Sequence, residues 1–152
     1  MSLVTARRLV RVADVNVLIY AHRAESPDHH AYVAWVISLV EADEPFGFSE
    51  LAASGFIRIV TNARVFKQPT PPGDALEFIG EFYLRPNCVR LRPGPDHWSI
   101  FSRLCSATAA SGKLVADAYH AALAIEHGCE LVTTDSDFGR FAGLRSSHPL
   151  RG

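Results

Sequence analysis

The chain lacks any apolar run near the ~18 residues that a membrane-crossing helix needs, it has no Cys-x-x-Cys pair, and it has no excess of either charge. The first absence argues against a transmembrane protein. A secretory leader is also disfavoured: Arg7, Arg8 and Arg11 stand ahead of an apolar stretch at residues 12–21, but Asp14 and Asn16 interrupt it and no small-residue cleavage site follows. A cytoplasmic location is the expectation. Cys88, Cys105 and Cys129 are odd in number and widely separated, which argues against a disulfide framework or a structural zinc site and leaves buried thiols as the reading. A formal net charge of −1 gives no global basic field to attract nucleic acid. Acids gathered at one place and bases gathered around it would cancel in that sum. Three basic stretches are candidates: Arg7, Arg8 and Arg11; Arg58, Arg64 and Lys67; and Arg85, Arg90 and Arg92. Each also reads as an ordinary solvated face. Neither an internal repeat nor a low-complexity segment is present.

What is there suits one compact domain with a single good core, spanning residues 1–145 with a short polar tail at 146–152. Residues 9–13 read as a short buried strand, with helix from about Val15. Ser26-Pro27-Asp28 reads as a helix start, leading into an apolar face over residues 31–40 that Glu44-Pro45 closes. Phe46-Gly47-Phe48 is extended, and Ser49 caps a helix running to about Thr61. The stretch Pro69-Thr70-Pro71-Pro72-Gly73 is the strongest loop signal. Asp74 then caps a helix to about Leu84, Val89 to Leu91 form a strand, Asp96 caps a helix through Leu104, and Ser111-Gly112 breaks it. A further helix covers residues 116–126, and residues 130–134 form the last clear strand. Strands alternating with helices indicate an α/β sandwich around a mostly parallel sheet.

Four acids stand out in that frame. Asp14 interrupts the apolar run from Val12 to Tyr20, Glu50 opens one apolar helix, Asp117 opens another, and Asp135 closes the last strand. A carboxylate beside a hydrophobic core costs free energy unless it is paired or bound to a cation. In open parallel sheets ligand sites lie at the carboxyl ends of strands, and Asp14 and Asp135 both follow strands. Asp117 and Glu50 sit in expected first helical turns, where the backbone dipole favours negative charge. That same placement is a duller explanation for both, and Asp135 and Asp137 are equally readable as turn residues. Asp14 has the least structural excuse. Asn16 can turn its amide toward the same place. Thr133 can point a hydroxyl there because strand side chains alternate, although strand propensity alone also explains it. An all-oxygen set selects magnesium or manganese over zinc or copper.

These residues carry a resemblance to a known family. Ala13-Asp14-Val15-Asn16-Val17-Leu18-Ile19-Tyr20-Ala21 resembles the opening motif of PIN domains. The segments Asp117-Ala118-Tyr119-His120-Ala121-Ala122-Leu123-Ala124 and Thr133-Thr134-Asp135-Ser136-Asp137-Phe138 resemble that family's two later acidic motifs. Together with Gly55-Phe56-Ile57-Arg58-Ile59-Val60-Thr61-Asn62-Ala63-Arg64-Val65-Phe66, they are similar to the VapC toxins of bacterial toxin–antitoxin pairs, in a variant common among mycobacterial members. The resemblance implies a PIN-like α/β/α sandwich. It implies an acidic quartet of Asp14, Glu50, Asp117 and Asp135, with Asp137 as an accessory acid and metal ligand beside Asp14, Asp117 and Asp135. Arg58 would serve substrate or structure, an ordinary salt bridge being the alternative. The implied cofactor is Mg2+, with Mn2+ able to substitute, and the implied reaction is hydrolysis of RNA to a 5′-phosphate and a 3′-hydroxyl by metal-activated water. None of the histidines is needed, and His120 and His127 are read as helix-surface or packing residues. The implied partners are RNA (transfer, ribosomal or messenger), a small cognate antitoxin whose tail covers the acids with a basic side chain, and a second copy in a homodimer. Three rivals stand beside this reading. One is a PIN-fold nuclease of RNA processing or structured DNA, for which the chain lacks the long insertion that embraces a flap. The others are a phosphoacceptor receiver domain, for which it lacks an early acidic pair and a late lysine, and a non-catalytic PIN domain that only binds a partner.

Overall fold

The computed structural model describes residues 9–151, so Arg7 and Arg8 of the first basic stretch lie outside the described residues. Five strands, β1 (Arg11–Ala13), β2 (Phe46–Ser49), β3 (Cys88–Leu91), β4 (Glu130–Val132) and β5 (Arg145–Ser147), form one sheet in the order β3-β2-β1-β4-β5. Every pairing is parallel: Arg11 lies opposite Phe46 on one side and Glu130 on the other, Phe46 opposite Cys88, and Glu130 opposite Arg145. Helices α1 (Val15–His22), α2 (His29–Glu41), α3 (Glu50–Val60), α4 (Pro72–Tyr83), α5 (His97–Thr108) and α6 (Lys113–Glu126) cover it.

Alternation along the strands divides the core in two. Ala13, Phe46 and Phe48 face a cluster with Val17, Leu18 and Phe56, from α1 and α3, while Val12, Leu91 and Leu131 face a second with Leu104, Ala121 and Leu123, from α5 and α6. Helices on both faces make this an α/β/α sandwich, as the alternation of elements predicts. Gly47 is required where it sits. Between Phe46 and Phe48 it turns to the second face, and a Cβ there would lie 2.7 Å from Leu91 Cδ1 and 2.8 Å from Val12 Cγ2.

Local signals succeed and fail for identifiable reasons. Ser49 caps α3 as expected, its hydroxyl accepting from the Ala52 N–H at 3.1 Å. Ser26-Pro27-Asp28 does precede a helix start, at His29, whereas Asp74 and Asp96 do not cap as expected. Pro27 and Asp28 lie in the turn ahead of α2, with Asp28 left-handed at φ 58° and no side-chain cap. The fourth helix starts at Pro72, which places Asp74 inside its first turn. Asp96 makes no side-chain cap, and the Glu126 carboxylate instead accepts from the Gly94 and Asp96 N–H groups at 2.7 and 2.9 Å. Helix α6 begins at Lys113, three residues before the expected start, so Asp117 is its fifth residue and not in its first turn. Residues 146 and 147, read as polar tail, join Arg145 in the edge strand β5, held by backbone pairing to β4 and by the Ser147 hydroxyl donating to Glu130 at 2.8 Å. Cys129 is buried, whereas Cys88 and Cys105 are partly exposed.

Candidate active site

Because all five strands are parallel, their carboxyl ends form one edge, and β1 and β4 are neighbours along it. Asp14 follows β1 directly. Its N–H donates to the Val132 carbonyl at 2.8 Å, extending the ladder one step, and its Oδ1 accepts from the Val15 N–H at 2.8 Å to cap α1. Asp14 is only 8% exposed. Its other oxygen accepts from the buried Thr133 hydroxyl at 2.7 Å, and the same hydroxyl accepts from the Asp135 N–H at 3.0 Å. One threonine thus fixes the Asp14 carboxylate and the backbone of Asp135. Asp135 in turn caps the short 3-10 helix Ser136–Arg140, its Oδ1 accepting from the Asp137 N–H at 2.9 Å.

Helix α6 supplies the opposite wall. Asp117 lies four residues after Lys113 and three before His120, so the three share a helix face. The Lys113 ammonium reaches Asp135 Oδ2 at 2.9 Å and Asp117 Oδ2 at 3.4 Å. His120 is buried, with Nδ1 3.6 Å from Asp14 Oδ1 and a buried Nε2 that has no hydrogen-bond partner. Asp14, Asn16, Arg58, Lys113, Asp117, His120 and Asp135 line one cavity of about 530 Å³.

The three carboxylates differ electrostatically. Burial drives the Asp14 carboxyl up, but His120, Thr133 and the Val15 N–H more than offset it, leaving it below the usual aspartate value. Asp117 is raised, chiefly by burial, with Asp14 and Asp135 adding repulsion against the pull of Lys113. Asp135 is lowered, mainly by its bond to Lys113. The expected helix-dipole contribution at Asp117 is absent: the residue is one turn too far in, and burial raises its carboxyl.

Among the described residues no three His, Cys, Asp or Glu side chains are drawn tightly enough to enclose an ion. The donor set nevertheless fits one. Lys113 Nζ holds two carboxylates together as a cation between them would, standing in for positive charge. Asn16 Oδ1 is buried without a partner, an oxygen acceptor at the cavity that lacks a donor or a cation. Oxygen donors of this kind suit a hard divalent ion.

The other predicted residues lie further out. Glu50 does open α3, but its side chain is 73% exposed, lies 3.9 Å from the Arg92 guanidinium and lines a neighbouring groove instead of this cavity. Asp137 is exposed and 3.8 Å from Arg140. Arg58 is exposed at the cavity rim, and no ion pair involves it among the described residues. The sequence reading missed Lys113 and took His120 for a packing or surface residue. Their spacing of four and three from Asp117 was the available signal.

A PIN-domain family profile matches residues 11–144. The chain belongs to the PIN-domain family. Ribonuclease VapC43 of Mycobacterium tuberculosis is 45% identical to this PIN domain over 91% of the chain and 95% of its own length. Ribonuclease VapC25 of the same organism is 40% identical over 90% and 96%. Among solved structures, VapBC-1 from nontypeable Haemophilus influenzae aligns with a TM-score of 0.67 at 15% identity, covering 94% of this PIN domain and 100% of that chain, a likeness of fold. These sequence relatives put the PIN domain in the VapC ribonuclease branch of the family.

Proposed function

We propose that this PIN domain is a metal-dependent endoribonuclease, the toxin of a type II toxin–antitoxin pair acting in the cytoplasm. The observation that carries the reading is the convergence of Asp14, Asp117 and Asp135 on one cavity, in a chain 45% identical to a protein named as a ribonuclease. Asp14, Asp117 and Asp135 would hold Mg2+, with Mn2+ able to replace it, and Asn16 Oδ1 offers a further oxygen to the ion or its water shell. A divalent ion in such a site activates water for attack at phosphorus and offsets charge on the phosphate.

The protein's own residues prepare that chemistry. Thr133 and the Val15 N–H fix both oxygens of Asp14, so its direction does not depend on a ligand. Lys113 holds Asp135 and Asp117 against their mutual repulsion and is free to shift to a phosphate oxygen when RNA enters. Arg58, exposed at the rim, is placed for an adjoining phosphate. Asp137 and Glu50 stand outside the cavity, so in this reading they act on hydration and substrate at its edge. The same geometry suits a small antitoxin: a basic side chain from its tail would take the place Lys113 takes between the acids. A homodimer completes the proposed assembly. Structural neighbours that are VapBC assemblies support the antitoxin. Among the described residues no helix is long and apolar enough to cross a membrane.

The test is the chemistry of the ends. Antitoxin-free protein with Mg2+ or Mn2+ should cut cellular RNA into discrete fragments with 5′-phosphates and 3′-hydroxyls, and EDTA should stop it. Cleavage that persists in EDTA, or yields 2′,3′-cyclic phosphates, would refute the reading.

A further inference from the structure

A second groove, of about 700 Å³, lies along the same carboxyl edge of the sheet, over β2 and β3. Its floor is Leu91 and Leu123, its aromatic wall is Phe101 and Tyr119, and Arg92 faces Glu50 across its mouth. It adjoins the acidic cavity directly, since Leu51, Ser54 and Ala116 line both. The Phe101 and Tyr119 rings meet edge to face at 5.5 Å, and the ring of Trp98, 72% exposed, lies 5.7 Å from Phe101.

We propose that this groove holds the base of an RNA nucleotide flanking the scissile phosphate, and that it sets the sequence preference of cleavage. The inference rests on the nuclease reading of the acidic cavity. Continuity favours RNA as the occupant, because Leu51, Ser54 and Ala116 line both cavities and a strand with one phosphate at Asp14 and Asp135 has the groove open to its neighbouring nucleotide. The ledge is also charged for it: Arg58 and Lys113 flank the cavity and Arg92 stands at the groove, a line of cations for successive phosphates. Single-stranded RNA is recognised by bases splayed out against aromatic and apolar surfaces. Glu50 supplies an acceptor for base amino or imino groups, and Arg92 a donor.

The test is end-sequencing of a randomised single-stranded RNA pool cut by wild type, Val115→Trp and Arg92→Ala. Val115 lines the groove and is partly exposed, so tryptophan fills the space without entering the core. Wild type should prefer particular bases at one position beside the cut. Val115→Trp should flatten that preference at least tenfold while cleavage across the pool continues. Arg92→Ala should weaken RNA binding and cleavage and lower the salt slope of binding by about 0.7, one phosphate contact on a single strand; an unchanged slope would overturn the path of the RNA past the groove. Cleavage with an unchanged base profile in Val115→Trp overturns the groove and leaves the nuclease reading standing. If that variant loses binding to an antitoxin-tail peptide and keeps its RNA profile, the groove belongs to the antitoxin and the proposal is wrong. A wild type that cuts nothing defeats the nuclease reading, and the groove falls with it.

Discussion

Thr133→Val removes one oxygen and tests how the site is held. The Thr133 hydroxyl donates to Asp14 at 2.7 Å and accepts from the Asp135 N–H at 3.0 Å, with Thr133 and Asp14 both buried. A hydrogen bond to a charged group contributes ~1.5–3 kcal/mol, and a neutral one ~1 kcal/mol. The variant should therefore lose about 3 kcal/mol at pH 7, most of it through Asp14. Because the Asp14 carboxyl is held below its ordinary value, its charge stabilises the fold fully above about pH 4, and this contribution is lost as pH falls through the folded-state value. The difference between variant and wild type should accordingly shrink toward about 2 kcal/mol in acid, two neutral hydrogen bonds. Urea midpoints from pH 7 to about 2 would show it, since the folded-state value lies below the ordinary aspartate value, and Thr133→Ser should restore most of the loss. RNA cleavage by Thr133→Val should fall about tenfold, as expected when ~1.4 kcal/mol of positioning is lost. A pH-independent difference, or a serine variant as damaged as the valine, would refute the argument.

Other perturbations probe the same arrangement. Asp117→Asn should abolish cleavage yet raise the melting temperature at pH 7 by roughly 2 °C: the Asp117 carboxyl is raised by burial, so its charge opposes folding at neutral pH, and the gain should shrink as pH falls through the folded-state value and vanish below the ordinary aspartate value. Lys113→Met should change stability by less than about 1 kcal/mol, because the lysine is exposed. It should also tighten Mn2+ binding in calorimetry, since a competing cation has gone; weaker binding would show that Lys113 assists the ion. Gly47→Ala should cost about 1–3 kcal/mol in urea unfolding by forcing a Cβ against Leu91 and Val12, and a neutral result would mean that those side chains yield freely.

The sequence was most legible where one residue has one job. Asp14 between apolar neighbours, the Ser49 cap and the strand-end Asp135 were readable because burial, capping and strand alternation each act locally. The resemblance of the flanking segments to PIN domains then joined them into one site. Three features needed tertiary structure. His120 looks like packing until β1 and α6 are seen side by side, which puts Nδ1 3.6 Å from Asp14. Glu50 was correctly placed at a helix start, but the rotation of α3 that carries its carboxylate toward Arg92 is set by core packing against α1 and α4. The edge strand β5 consists of Arg145, Ser146 and Ser147, polar residues with no apolar pattern to read, paired to β4 through its backbone and the Ser147 hydroxyl. Asp117 was misplaced by one turn because the helix begins with Lys113, immediately after Gly112 at φ 58°, and the apolar period becomes regular only further along.

The central claim is that Asp14, Asp117 and Asp135 form one metal-binding catalytic centre. The most direct measurement is Mn2+ binding by calorimetry, paired in the same preparations with RNA cleavage, for wild type, Asp14→Asn and Asp135→Asn. The account predicts that each variant stays folded, binds Mn2+ at least tenfold more weakly and loses cleavage in parallel. Variants that bind Mn2+ as wild type does, or that cut RNA after losing the ion, would contradict it.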